Sequence, residues 1–317
     1  MSTSRRDFIT TSASAALGLI AIRPLRASAI TTQGQAPQPV FTLIRRDVGT
    51  FTMRGGTIGW LANSRAVVVV DTQFPAEARA LLEGLRTRSN KPIELVINTH
   101  HHGDHTSGNP IFRGIAKRVV AHSMADQHMR RTPGAQPQPQ AQPQQAAPAP
   151  LYPDTVFTHI WSANVGGERI VARHHGRAHT SGDAVITFER ANVVHMGDLM
   201  FNRRHPVVDR AAGASIKNWM RVLEQVAAAH SRDTVFIFGH AGTNQPVTGS
   251  STDLLRFRDY LGALLDFVER QVSAGRSREE VLGMRQALAG FEDWGAFGQA
   301  GPRDALTVAY EEVTSGA

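Results

Sequence analysis

The 317-residue chain contains no cysteine. That absence excludes disulfides, thiolate nucleophiles, iron–sulfur clusters and cysteine zinc sites, so any metal must be held by His, Asp or Glu. A block of basic residues interleaved with aromatics is also missing. The formal charge of +7 includes a net +3 from Arg5, Arg6, Arg23 and Arg26 against Asp7, which leaves about +4 on the rest. Nucleic acid is therefore not expected as a partner. No apolar run is long enough for a membrane span. The best one, from Thr10 to Ile22, is short and rich in Ser and Thr, so no stable membrane anchor is expected. Internal repeats are absent too.

What the N-terminus does contain is Ser4-Arg5-Arg6-Asp7-Phe8-Ile9, a twin-arginine pattern, with Ala27-Ser28-Ala29 as a small-x-small cleavage site. Residues 1–29 are read as a twin-arginine signal peptide. The expected localisation is periplasmic, with the export machinery a transient partner. That route carries folded proteins, so a metal site could be loaded before export.

Beyond it, short β-branched stretches at 40–44, 50–53, 57–61 and 66–70 predict a β-meander. Residues 75–88 predict an amphipathic helix with Pro75 in its first turn. Strands are expected at 93–97 and 119–122, with a helix at 124–131. The stretch 136–150 holds only Gln, Pro and Ala; with nothing to anchor in a core it is read as a disordered insertion. Strands follow at 155–160, 169–174, 184–189 and 192–196. A helix is expected at 215–229, a buried strand at 234–238, and helices at 254–274, 278–289 and 304–313. The expected organisation is one domain over 40–250 and a C-terminal helical segment, 251–317, packed on it.

The densest chemistry lies in Asn98-Thr99-His100-His101-His102-Gly103-Asp104-His105. In an extended segment residues i and i+2 face the same way, so His100 and His102 can share one metal. Asp104 and His105, further on, can face a second. His101 should point opposite to its neighbours and is not expected to be a ligand. The strand before the loop is apolar and β-branched, and open α/β sheets place their chemistry at the carboxyl ends of such strands. Three more candidates lie where strands end or beside glycine: His179, Asp198 and His240. His122, His128, His159, His174, His175, His195, His205 and His230 lack partners at ligand spacing and are read as structural or surface residues.

These residues together resemble the metallo-β-lactamase-fold hydrolase superfamily, from about Phe41 to about Gly242. The resemblance rests on His-x-His-x-Asp-His, the later His, the Gly-Asp and the Gly-His. It implies an α/β fold, a four-layer αβ/βα sandwich, with a C-terminal helical extension. It implies that His100, His102 and His179 hold one metal, that Asp104, His105 and His240 hold the other, and that Asp198 bridges them. Asp71, ending a four-valine strand, matches a family Asp that supports the ligand loop from behind.

A ligand set dominated by imidazole suggests two Zn2+, other divalent ions being possible. A water bridging two such ions ionises near neutral pH and can attack a carbonyl, with Asp104 as the catalytic residue that orients it and shuttles its proton. No Ser-His-Asp triad is needed. One subclass of zinc β-lactamases places Cys in the second metal's shell; Asp198 here resembles instead thioesterases, lactonases and broad hydrolases of the family. The expected substrate is a small molecule with an acyl bond: lactone, ester, amide or β-lactam. An iron redox protein on the same fold and a non-catalytic periplasmic metal-binding protein are the alternatives. The oxygen-reducing branch resembles His-x-Glu-x-Asp, and His102 in place of Glu weighs against it.

Overall fold

Val67-Val68-Val69-Val70 explains the layering of the molecule. All four side chains are buried, yet alternate residues of a strand point to opposite faces, so this strand needs an apolar layer on each side. In the computed structural model, which describes residues 38–131 and 149–315, it receives both. Val68 and Val70 pack between two sheets, while Val67 and Val69 pack outward against a helix.

The first sheet runs in chain order, β1 (Val40–Arg45), β2 (Val48–Thr52), β3 (Ile58–Ala62), β4 (Val67–Val70), β5 (Ile93–Ile97), β6 (Ala116–His122) and β7 (Thr155–Phe157). The meander β1 to β4 is antiparallel, and β4 to β7 are parallel. Helix α1 (Pro75–Arg86) covers its outer face with Ala78, Leu81, Leu82 and Leu85. Two short helices flank β6, namely α2 (Gly103–Thr106) and α3 (Ser123–Arg131).

The chain continues through β8 (Ile160–Val165), β9 (Glu168–Arg173), β10 (Val185–Phe188), β11 (Val193–His195), β12 (Phe201–Asn202), α4 (Ile216–Ala229), β13 (Val235–Ile237), β14 (His240–Ala241) and β15 (Thr248–Gly249). The second sheet has the order β15-β13-β11-β10-β9-β8, and β12 pairs with β14 separately. Three helices follow: α5 (Ser251–Ser273), α6 (Arg278–Leu282) and α7 (Ala305–Thr314). Helix α4 starts where the Ser215 side chain accepts from Asn218 N, and it buries Ile216, Trp219, Val222, Leu223 and Val226. That face, residues of α5 to α7, and the outer side chains Val185, Val194 and Phe236 form one apolar cluster. The layers are thus helix, sheet, sheet, helix, as a four-layer sandwich requires.

Two expected elements are corrected. Residues 155–160 are not one strand: β7 ends at Phe157 in the first sheet and β8 begins at Ile160 in the second. An apolar run does not register a change of sheet. The helix expected over 278–289 stops at Leu282, and the following residues turn back so that Ala287 bridges Ala296. The N-terminal signal-like segment and all of the Gln/Pro/Ala stretch except Ala149 and Pro150 lie outside the described residues. Among the described residues no helix is long and apolar enough to cross a membrane.

Candidate metal centre

The site forms where both sheets end. The chain leaves β5 through Asn98 and Thr99 into the histidine loop, and leaves β11 into a short turn, Gly197–Leu199, that carries Asp198. Gly239 lets the chain leading to His240 approach the Asp198 turn: a Cβ there would lie 2.1 Å from Asp198 Oδ1 and 2.5 Å from the Gly197 carbonyl oxygen. Asp71, fully buried at the end of β4, has φ of 65°, a conformation that costs a non-glycine residue free energy and persists only where the surroundings enforce it.

That conformation aims the Asp71 carboxylate at the back of the loop. Its Oδ1 accepts from Thr99 N at 2.8 Å, and its Oδ2 from Thr99 Oγ1 at 2.7 Å. His105 Nδ1 lies 2.7 Å from the same Oδ2, so it donates its proton there and turns Nε2 toward the site. The same logic fixes the other rings. Thr99 Oγ1, already donating to Asp71, accepts from His100 Nδ1 at 3.1 Å. His179 Nδ1 donates to the Val207 carbonyl at 2.8 Å. His102 is reversed: its Nε2 donates to Asp209 Oδ2 at 2.8 Å, and its Nδ1 faces inward, 2.9 Å from His179 Nε2. Partners on the outer nitrogens are what a metal-ready imidazole needs.

The inward atoms gather into two groups that could each hold a metal ion. One comprises His100, His102, His179 and Asp198; the other comprises Asp104, His105 and His240. Asp198 stands between them. Its Oδ2 lies 3.8 Å from His100 Nε2, 3.5 Å from His179 Nε2 and 3.4 Å from His240 Nε2, and its Oδ1 lies 3.0 Å from His105 Nε2. Asp104 Oδ2 is 3.1 Å from His240 Nε2. His100 Nε2, His105 Nε2 and Asp198 Oδ1 are nonetheless buried without an aligned hydrogen-bond partner. Buried polar atoms are normally satisfied. Three orphans converging on one small volume fit a cationic occupant.

For His100, His179 and Asp198 protonation agrees with that fit, because a metal needs neutral imidazole and ionised carboxylate. Burial pulls His100 well below the ordinary histidine value, and brings His179 down to about 3. Burial pushes the Asp198 carboxyl up, but the neighbouring His240 and His105 charges outweigh it and hold it well below the usual carboxylate range. His105 goes the other way: burial lowers it, yet the surrounding carboxylates Asp198, Asp104 and Asp71 raise it well above its ordinary value.

All seven residues expected around the metals, and Asp71 behind them, lie in this one place. His101 needs a correction. It joins neither group, but it does not turn away from its neighbours: its ring is 4.5 Å from that of His102 and 4.7 Å from that of His128. With His102 and Asp209 it makes a third, peripheral group. Among the remaining histidines, His195 bonds the Thr57 carbonyl at 3.0 Å, and His122 stacks on His174 with centroids 4.0 Å apart. Sequence reading missed Thr99, Asp209, Arg204 and Arg303. Arg204 Nη1 lies 3.4 Å from His240 Nδ1, and Arg303 Nη1 lies 3.4 Å from His102 Nε2. Thr99 stands beside the histidine motif, and the other three stand in no motif.

Comparison with known proteins agrees with this geometry. Residues 52–240 match the family model of the metallo-beta-lactamase superfamily. The chain belongs to that superfamily. Among curated proteins, it is 21% identical over 186 residues to metallo-beta-lactamase IND-1 of Chryseobacterium indologenes, covering 57% of this chain and 70% of that protein. Among solved structures, a metallo-beta-lactamase from Pontibacter korlensis superposes with a TM-score of 0.56 at 18% identity, over 71% of this chain and 99% of that one. DIM-1 metallo-beta-lactamase superposes with a TM-score of 0.55 at 14% identity, over 71% and 97% of the two chains. Identities this low establish the fold alone. Family membership and the His/Asp clusters together support a metal-dependent hydrolase.

Proposed function

We propose that this chain is an exported binuclear zinc hydrolase that cleaves an acyl bond in a small molecule: a lactone, ester, amide or β-lactam. One observation supports it above the rest, namely two groups of ligand-type atoms that meet at a single buried carboxylate, Asp198. His100, His102 and His179 would hold one ion, and Asp104, His105 and His240 the other, with Asp198 common to both. Divalent ions held there would supply Lewis acidity, polarising an acyl carbonyl and acidifying a water.

The protein's own residues supply orientation and proton transfer. Asp71, Asp209, Thr99 and the Val207 carbonyl fix the rings, so the ligand set is organised before any substrate arrives. Asp104 has the most exposed side chain of the set, at 26%, against 4% for Asp198. Its side chain is partly exposed at the edge of the cluster, so its carboxylate can take the proton of an attacking water. The twin-arginine pattern supports export, and periplasmic residence follows from it.

The test is a panel of β-lactams, lactones, thioesters and phosphoesters on zinc-loaded protein, with metal analysis of protein purified without added metal. Turnover of at least one acyl class, with zinc as the main metal, is expected. Turnover confined to phosphoesters contradicts the acyl reading, and iron in excess of zinc contradicts the zinc reading.

A further inference from the structure

The superfamily match ends at His240, yet one side chain from far beyond it reaches the metal centre. Arg303 precedes α7, and its Nη1 lies 3.6 Å from Asp209 Oδ2 and 3.4 Å from His102 Nε2. Since the His102 N–H is directed at Asp209, the guanidinium's attraction is to the Asp209 carboxylate.

The segment carrying Arg303 is fixed on both sides. The Arg303 carbonyl accepts from Val208 N at 3.0 Å, and Val207 bridges Asp304. Asp304 caps α7 by accepting from Thr307 N at 3.0 Å. At the far end of α7, the buried Glu312 accepts from Ser215 Oγ at 2.9 Å and Ile216 N at 2.8 Å, at the start of α4. Both attachments fall on the stretch 207–216, which also supplies Asp209 to His102 and the Val207 carbonyl to His179. The cation is therefore held at the edge of the site by the same backbone that orients two of its imidazoles.

Its side chain is still 42% exposed, and among the described residues its contacts to the site run through Nη1. The rest of a planar fork, suited to bidentate binding of a carboxylate, remains available. On the other side of the cluster the exposed Arg204 lies against His240. Guanidinium groups on both flanks make a rim that favours anions.

We propose that Arg303 is a specificity-determining residue that receives a carboxylate of the substrate, so that the enzyme prefers acyl compounds bearing an anionic group. This rests on the hydrolase reading above. The test uses the zinc-loaded full chain and its R303A and R303K variants with two aryl esters, 4-nitrophenyl acetate and mono-4-nitrophenyl glutarate. The ratio of kcat/KM for glutarate ester over acetate ester should fall about tenfold in R303A, mainly through KM, and partly recover in R303K. Equal losses on both esters, or no change in the ratio, would mean that Arg303 only neutralises Asp209, and would overturn the proposal. Should wild type hydrolyse neither ester, the hydrolase reading suffers on its own, and glutarate binding to the zinc-loaded protein is read by calorimetry instead. Binding about tenfold weaker in R303A supports the carboxylate site; binding that is absent in wild type or unchanged in R303A overturns it.

Discussion

The two ligand groups that meet at Asp198 are built differently. In the first, His100, His102 and His179 are at most 6% exposed, and every outward nitrogen has an acceptor, that of His102 having Arg303 beside it as well. In the second, His105 is as firmly held, but His240 is 10% exposed with an arginine beside its outer nitrogen, and the Asp104 side chain is 26% exposed. The first group is organised for retention. The second keeps a carboxylate in reach of water, which retention does not need and proton transfer does.

Substitutions in each group should therefore fail differently. The largest effect is expected from Asp104→Asn. Turnover on the best panel substrate should fall by about 10²- to 10⁴-fold, the range of a general acid–base group, while the first group still binds its ion. Loss of both ions on metal analysis would show that Asp104 holds the centre together and would erase the distinction.

Asp71→Ala should come next. It strips Thr99 N, Thr99 Oγ1 and His105 Nδ1 of their acceptor at once. Metal affinity should fall by about 10- to 100-fold, with stability lower by about 3–5 kcal/mol in denaturant titration, as when a buried charged network loses one member. Unchanged zinc affinity would show that the strained carboxylate serves the fold only. Asp209→Asn is milder, since an amide oxygen can still accept from His102. Affinity in the first group should drop about tenfold, with little effect on ions held by the second. An equal effect on both would argue against separate groups.

The smallest expected effect lies outside the centre and tests whether histidine density alone makes a metal site. His122 and His174 stack but, among the described residues, lack a convergent carboxylate, and burial lowers His122 from 6.5 to about 4. Between those values the unfolded chain takes up a proton that the folded chain refuses. Its contribution is thus fully present above pH 6.5 and is lost as pH falls toward 4. The slope is at most about 1.4 kcal/mol per pH unit for one proton. His122→Gln should flatten that part of the urea-midpoint profile without changing metal content. A change in bound metal would mean that the pair belongs to a site.

Much of this arrangement was readable from the chain because local spacing carries it. The loop from His100 to His105 places its ligands by backbone geometry alone, and His179, Asp198 and His240 follow strand ends that apolar patterning makes visible. The four-valine strand similarly announces a layer on each of its sides. What escaped has no local cause. Asp209 reaches His102 because the loop after β12 folds back, and Arg303 reaches Asp209 through a bridge between Val207 and Asp304. The loop 202–215 carries no motif, yet it holds both Arg204 and Asp209. The break between Phe157 and Ile160 was hidden for a related reason: both strands are apolar, and only the tertiary fold assigns them to different sheets.

If Asp198 joins the two ligand groups into one centre, both ions depend on its carboxylate. Calorimetric titration of metal-free protein with Zn2+, comparing wild type with Asp198→Ala, reads that dependence. Two equivalents per chain in wild type, both weakened in the variant, are expected. A single equivalent in wild type, or two that Asp198→Ala leaves unchanged, would mean that Asp198 does not join the two groups.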